Sequence, residues 1–496
     1  MTKRDWIGDR NEAPALRLSA LLAEPQFIGC DDIVARRCTD DADACRPGDL
    51  FVARMDDLGA DHDAIATALA RGAAAVVAEH MASTGGVPLC VVPDVSWAWA
   101  RLCHAAAGDP GMGLRITAIT GTSGKTTTAW LAASVLAEAG LRVGVVSDLG
   151  FLDGEGLEAT DARRETPAGL ASSLARIAAT GCTHAVVEVS SRMLADNALA
   201  GVPCETVVVT NLARAHLDLH GSCVAYHEIK GRILDCLAAD GCLIVNGDDE
   251  RLRRLVQRRL YDRADARILE AGLVTGDITA SPVDRSLFGQ TFLMQAAGHA
   301  VPVAVPTPVA SFVRDALLAA AIGARHRVPL EVAARGIEAA GSVSGRLERL
   351  DRGQDFATFL DHPTSGHALA TTLSGLRRLT PGRLVMIAED AVAASLGGAR
   401  RFVSRATRWC DECVVAPDTI AVAGAGDAAI AAYARVDRLL GSLGAGDCLL
   451  VLGDVAGAHP GRDDAAGEML PLTRVIDGWL QLAHQPQPRS SRRRAA

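Results

Sequence analysis

Residues 118–131, AITGTSGKTTTAWL, decide how this chain folds. The apolar run RITAIT reads as a strand. Two glycines, Gly121 and Gly124, follow it, and a long helical pattern opens at Lys125 and Thr126. Backbone N–H groups at such a helix start point toward an anion, and the helix dipole adds partial positive charge. Lys125 supplies a point charge for the β- and γ-phosphates of a nucleotide, and the Thr126 hydroxyl is placed to ligate Mg²⁺. The residues expected to line the nucleotide are Gly121, Thr122, Ser123, Gly124, Lys125, Thr126 and Thr127. The strict form of this loop carries another glycine five residues before Gly124, where this chain has Ile119. The loop is therefore a variant, set in the strand–loop–helix context that phosphate binding requires.

Around the loop runs a series of β-α units. RVGVVSD, HAVVEVSS, ETVVVTNL and CLIVNGDD read as strands, GLASSLARIAATG as a helix, and YHEIKGRILDCLAADG as helical throughout. Fully apolar strands alternating with helices predict a parallel sheet covered on both faces. Residues 309–340 read as two packed helices closing this domain, and a third αβ block runs from GRLERL to GDCLLVLGD. Upstream, GDLFVAR and AAVVAEH read as strands flanking the helix HDAIATALARGA, and GDPGMG at residues 108–113 marks a linker.

At 496 residues, roughly three domains of about 150 residues are expected. Hydrophobic content of 49% with 22% charge supports packed cores, and only 4% aromatics leaves Ala, Val and Leu to build them. A net charge of −9 argues against nucleic acid as a partner, because a phosphate-binding surface needs excess positive charge. The final RSSRRRAA reads as a disordered basic tail. Thirteen scattered cysteines fit reduced thiols in a cytoplasmic protein, and Cys410 and Cys413 form one C-x-x-C pair without a second ligand pair nearby. No apolar run reaches the ~20 residues of a spanning helix, so no membrane association is expected, and the chain is read as a monomer.

Carboxylates and histidines at strand ends supply the remaining site candidates, since ligands of open α/β sheets bind at that edge. Glu188 closes an apolar strand and is expected to hold Mg²⁺. His216, with Asp218 and His220 behind it, follows another strand and reads equally as structural or as a second-metal ligand. Lys230, on spacing alone, reads as a solvated surface lysine.

GTSGKTT, EVSS, TNLARAHLDLHG, YHEIKGRIL and VNGDD, in that order, resemble the central domain of the Mur ligases, in particular the UDP-N-acetylmuramoyl-tripeptide synthetase branch. RPGDLFVARMDDLGADHDAIATALARGAAAVVAE resembles the UDP-binding domain of that branch, and TDDA, containing Asp40, stands where it has Asp-Ser-Arg. The resemblance covers about residues 35–350. It implies three domains, 1–110 for UDP-sugar binding, 111–343 for ATP and 344–485 with a Rossmann-like fold, ahead of the tail at 486–496. It also implies a reaction in which ATP phosphorylates the terminal carboxylate of a UDP-N-acetylmuramoyl-peptide and an amino acid's amine attacks the acyl phosphate, in peptidoglycan precursor synthesis. By the same resemblance Thr126, Glu188 and His216 hold magnesium, Lys230 is carbamylated, and Asp40, Thr166 and Ser190 contact substrate. Asp315 then lies on the adenine side, Arg346 near the γ-phosphate and Asp361 on the ribose.

The pattern breaks in places. Asp315 stands for an Asn, Ala215 for the Asp before the motif His, Arg192 for a His, and Asp196 and Ala198 for a substrate-anchoring Gln and Arg. DHPTSG replaces Asp-Tyr-Ala-His-Thr-Pro, leaving Asp361 but putting Thr364 at the His, and the Asp-Asn-Pro-Arg signature that reads diaminopimelate is missing from DECVVAPDTIAV. Losing that Arg removes bidentate recognition of a carboxylate. Two readings follow: an active ligase with a divergent third domain, or a non-catalytic paralogue that keeps nucleotide or UDP-sugar binding.

Overall fold

The computed structural model describes residues 14–54, 60–159, 161–213, 222–260, 266–417, 419–421, 427–453 and 469–483. The chain forms two compact units, Met1–Thr279 with Asp315–Gly336, and Ala280–Arg314 with Ile337–Ala496.

The first unit begins with a five-stranded sheet. Its strands are β1 (Gln26–Ile28), β2 (Cys38–Thr39), β3 (Leu50–Val52), β4 (Ala75–Ala78) and β5 (Leu89–Val91), ordered β1-β5-β4-β3-β2. Helix α1 (Ala60–Ala70) precedes Gly72, whose φ of +95° suits the left-handed turn that leads out of it. Helix α2 (Val95–Ala106) buries Trp99 and Leu102 among Leu16, Leu50 and Val77. The same cluster takes in Ala168 and Ala171 of α4 (Pro167–Ala179), so this layer packs against that helix.

That sheet contains β6 (Arg115–Thr120), β7 (Val143–Val146), β8 (Gly150–Leu152), β9 (Leu157–Ala159), β10 (His184–Glu188), β11 (Cys204–Val209), β12 (Leu237–Asn246) and β13 (Arg267–Ala271). Within the unit they lie in the order β9-β8-β7-β10-β6-β11-β12-β13. The middle is parallel, as their apolar runs predict, and β8 and β9 add an antiparallel edge. Glu188 pairs with Ile119 and Val209 with Thr120, so three neighbouring strands end level with one another. The loop helix α3 (Lys125–Glu138) is buried on several sides, with Leu131, Ala132, Val135 and Leu136 all sequestered. Helices α8 (Ala310–Arg325) and α9 (Leu330–Ala340) form where two helices were expected, and α8 approaches α3 so closely that a Cβ on Gly323 would stand 2.8 Å from Val135.

One expectation is overturned. The helical reading of YHEIKGRILDCLAADG holds for α6 (Cys223–Gly231) and a 3₁₀ turn over Arg232–Cys236, and then β12 takes over at Leu237. Leu237 pairs with Cys204 and is buried in the central core, a tertiary reward that outweighs the helix propensity of LAAD. Helices α5 (Ser191–Ala195) and α7 (Glu250–Arg259) complete the surroundings.

In the second unit an antiparallel hairpin of β15 (Gly289–Ala296) and β16 (His299–Val305) follows β14 (Ile278–Ser286), which carries the chain out of the first unit. Phe292 and Met294 in one strand and Val303 and Val305 in the other alternate toward the buried side, a period-2 signal that sequence reading passed over. A five-stranded sheet follows, made of β17 (Glu348–Arg349), β18 (Ala357–Asp361), β19 (Leu384–Glu389), β20 (Glu412–Ala416) and β21 (Cys448–Leu452) in the order β17-β18-β21-β19-β20. Cys410 lies buried just ahead of β20, and burial pushes its thiol up to about 12 and that of Cys413 up to about 11. Beyond the expected end of this block at GDCLLVLGD lies helix α10 (Leu472–Ala483). Its Leu472, Ile476 and Leu480, four residues apart, share a core with Val385, Ile387, Leu449 and Val451. Among the described residues no helix is long and apolar enough to cross a membrane.

At the N-terminal ends of the central strands, Arg115 bonds both oxygens of Glu205 at 2.5 and 2.6 Å, and Arg325 reaches Glu205 at 2.9 Å. The His184 and His326 rings meet edge-on with centroids 4.8 Å apart. Burial, with Arg115 as second cause, holds both imidazoles below their ordinary value, His326 at about 4. Unfolding therefore takes up protons, so the contribution of these groups is complete above the unfolded value of about 6.5 and is lost as pH falls toward 4.

Two outcomes follow from the packing. Leu480→Ala should cost about 2–5 kcal/mol in a chemical-denaturation measurement of the second unit's transition. The thermal midpoint of the first unit should fall between pH 7 and pH 4, and His326→Gln should make that fall shallower.

Candidate active site at the phosphate loop

The loop between β6 and α3 is shaped by the two residues that follow β11. Thr122 N–H donates to Asn211 O at 3.0 Å, Ser123 N–H to Asn211 Oδ1 at 3.1 Å, and Asn211 Nδ2 to Ser123 O at 2.9 Å. Thr210 Oγ1 donates to Ser123 O at 2.6 Å. Gly121 sits at φ +151°, and a Cβ there would lie 1.9 Å from Thr210 Oγ1. Gly124 sits at φ +81°, and a Cβ there would lie 2.3 Å from a carboxylate oxygen of Asp315. Both positions therefore require glycine for conformation and for space. Asp315 is itself buried, its carboxylate against Gly124.

Charge gathers at the level ends of β6 and β10. Thr126 Oγ1 donates to Glu188 Oε1 at 3.1 Å, and Lys125 Nζ stands 3.5 Å from the same oxygen. The other oxygen, Oε2, accepts the Asp148 N–H at 3.2 Å. Thr126 is 5% exposed and Glu188 3%, so the carboxylate is removed from solvent and held by a cation and two donors. Hydroxyl and carboxylate oxygens are the hard donors that Mg²⁺ takes, and the two side chains already converge, so the pair fits that ion. Thr127 is buried on the same helix turn.

Lys230 overturns its reading as a surface residue. It is 2% exposed, and its Nζ donates to Thr120 Oγ1 at 2.9 Å, while Thr120 donates onward to Val189 O at 2.8 Å. The Tyr226 ring lies 5.7 Å from Nζ, and the Tyr226 hydroxyl donates to Thr122 Oγ1 at 3.4 Å. Burial first, and Lys125's charge second, drive the Lys230 amine well below the usual lysine range, against the pull of Glu188, Asp148 and Glu165. The amine is thereby biased toward its neutral form.

Thr166 and Ser190 lie where helices begin, as side-chain caps of α4 and α5. Thr166 Oγ1 accepts the Gly169 N–H and Ser190 Oγ the Met193 N–H, each at 3.1 Å. Ser190 also donates to Glu165 Oε2 at 3.4 Å, and burial raises the Glu165 carboxyl, with Asp148's charge adding to it. Asp40 pairs with Arg54 at 2.9 Å, and the same guanidinium reaches Asp196 at 3.4 Å. His216, Asp218 and His220 lie outside the described residues.

Arg346 and Asp361 belong to the second unit. Asp361 is buried, with Oδ1 accepting the Leu347 N–H at 3.2 Å and Oδ2 the Thr372 hydroxyl at 3.1 Å. Arg346 donates to His362 O. Burial raises the Asp361 carboxyl, and Arg346 opposes that rise.

Sequence reading passed over Thr120, Asp148, Glu165, Asn211 and Tyr226. Thr120 and Asn211 carried a usable signal, since each stands at or just past the end of an apolar strand beside the loop. Asp148 carried the same signal, two residues past the apolar strand β7, whereas nothing local marks Glu165.

Fold and site define a phosphate-loop α/β protein whose central parallel sheet presents its functional edge at the start of α3. Residues 119–323 match the sequence profile of the Mur ligase middle domain. The chain is 31% identical over 391 residues to a UDP-N-acetylmuramyl-tripeptide synthetase of Roseiflexus sp. (strain RS-1), a match covering 76% of each protein. It is 30% identical over 452 residues to a UDP-N-acetylmuramoyl-L-alanyl-D-glutamate--2,6-diaminopimelate ligase of Chlorobaculum tepidum, covering 84% of this chain and 86% of that one. A solved UDP-N-acetylmuramoyl-L-alanyl-D-glutamate--2,6-diaminopimelate ligase superposes with a TM-score of 0.66 at 22% identity, over 90% of this chain and 95% of that one. MurF ligase from Thermotoga maritima, solved in complex with ADP, gives 0.57 at 19% identity over 84% and 94%. The chain belongs to the Mur ligase family.

Gly121→Ala should weaken Mg-ATP binding at least 10-fold by calorimetry while far-UV circular dichroism stays unchanged, because the clash with Thr210 is confined to the loop.

Proposed function

We propose that the protein is an ATP-dependent ligase that joins an amino acid to a UDP-N-acetylmuramoyl-peptide through an acyl phosphate, as a step in peptidoglycan precursor synthesis in the cytoplasm. The observation that supports this most is the meeting of Lys125 and Thr126 with the buried Glu188, one strand from a buried lysine biased toward neutrality. The relatives' names, a tripeptide synthetase and a diaminopimelate ligase, point the same way.

In this reading the loop from Gly121 to Thr127 wraps the triphosphate with its N–H groups, and Lys125 leaves Glu188 to meet the γ-phosphate. Thr126 and Glu188 hold one Mg²⁺ and His216 contributes to a second, and these ions supply neutralising charge where two anions must approach. The substrate carboxylate attacks the γ-phosphorus and ADP departs. The amine then adds to the acyl carbon, and the tetrahedral adduct releases phosphate to leave the amide. Lys230 is suited to carbamylation, because only a neutral amine adds to CO₂. Ser190, Thr166 and Asp40 contact the muropeptide; Asp315, Arg346 and Asp361 serve the nucleotide in a division into domains at 1–110, 111–343 and 344–485. The missing Asp-Asn-Pro-Arg signature argues that the incoming amine is not diaminopimelate.

The test is phosphate release with Mg-ATP, bicarbonate and UDP-N-acetylmuramoyl-dipeptide, with and without a panel of amino acids. Release that needs both the muropeptide and one amine is expected. Lys125→Ala should lower it by about 10²-fold or more. Nucleotide binding without turnover across the panel would instead favour a non-catalytic paralogue.

A further inference from the structure

The carboxylate of Glu188 has a feature that nothing in the ligase chemistry explains. A Glu carboxylate turns freely about its last torsion, which is broad and two-fold, yet here the two oxygens have different partners. Oε1 faces Thr126 and Lys125, whereas Oε2 takes the Asp148 N–H. That N–H comes from the turn linking β7 to β8. Ser147 N–H donates to Gly150 O at 3.1 Å and Gly150 N–H to Ser147 O at 3.2 Å. The Ser147 hydroxyl donates to Gly150 O at 3.1 Å and accepts the Gly150 N–H at 3.3 Å. The turn is then tied to α3, where Trp130 Nε1 donates to Ser147 Oγ at 3.0 Å.

Trp130 lies four residues after Thr126, so the two side chains share one face of the helix. A single helix face therefore reaches Glu188 by two routes. Thr126 bonds one oxygen directly, and Trp130 acts on the other through Ser147 and the Asp148 amide. In a chain with 4% aromatics, an indole half-buried on the phosphate-loop helix with its N–H committed to this turn is not needed to fill the core.

We propose that Trp130 is a positioning residue, whose indole N–H, through Ser147, holds the Asp148 amide on Glu188 and so presents Oε1 to the metal and the loop. The role of Glu188 toward the metal rests on the proposed function; the relay itself does not. Partners that orient a ligating carboxylate in this way are typically worth 10- to 100-fold in metal affinity.

The test uses the full chain with Trp130→Phe, which keeps an aromatic ring at the position and removes the donor, and with Ser147→Ala and the double variant. In ligand-free protein, hydrogen exchange across residues 147–152 should speed up in Trp130→Phe. With ADP present, its Mg²⁺ affinity by calorimetry should fall about 10-fold or more, while ADP binding without Mg²⁺ stays at the wild-type value. The double variant should be no worse than the weaker single variant, because both cut one relay. Unchanged exchange in that segment overturns the relay whatever the nucleotide does. Faster exchange with unchanged Mg²⁺ affinity overturns its effect on the metal carboxylate. Wild-type protein that binds no Mg-ADP, with exchange still accelerated in the variant, would strike down the functional reading and leave the relay standing.

Discussion

A carboxylate buried to 3% exposure is tolerable only if it is paired and hydrogen-bonded, and Glu188 meets that condition through Lys125, Thr126 and the Asp148 amide. The rest of the site depends on this contact. It ties the end of β10 to the start of α3, and it exists because the parallel register sets Glu188 against Ile119, two residues before the loop turns at Gly121. Shift that register by one residue and the carboxylate would face the other side of the sheet. The apolar strands around it are what hold the register in place.

The same burial sets the electrostatics. Lys125 stands beside its counter-ion, whereas Lys230 has a hydroxyl partner and a nearby like charge, and burial drives its amine below the usual lysine range. Asp315 adds a complication of its own. Lodged against Gly124, its carboxylate fills the space that a Cβ there would need.

The second unit tells a different story. Its sheet and its core of Val385, Ile387, Leu449 and Val451 are regular, and the helix bearing Leu472, Ile476 and Leu480 closes it. The apolar residues of its strands and closing helix meet in one core. Core packing needs only hydrophobic groups of suitable volume, but reading a substrate needs particular donors and acceptors. A Rossmann-like sheet can therefore keep its core whatever residues stand at its rim, and the buried Asp361 has both oxygens bonded inside its own unit.

What the sequence by itself determined is the local grammar. The strand–loop–helix around Gly121 and Gly124, the parallel apolar strands and the paired helices at 310–340 follow from patterns spanning a few residues, where periodicity and backbone preference act. The ordered motifs likewise carried the family, which the matches along most of the chain bear out. Tertiary structure alone decided the rest. Lys230 is buried because Thr120 and Tyr226, more than 100 and four residues away, close over it. LAAD becomes strand because Cys204 waits beside Leu237. Asp148 and Glu165 join the site because a turn and a helix cap fold back onto the end of β10. Each of these depends on which distant side chain excludes water from a group, and no short window of sequence encodes that.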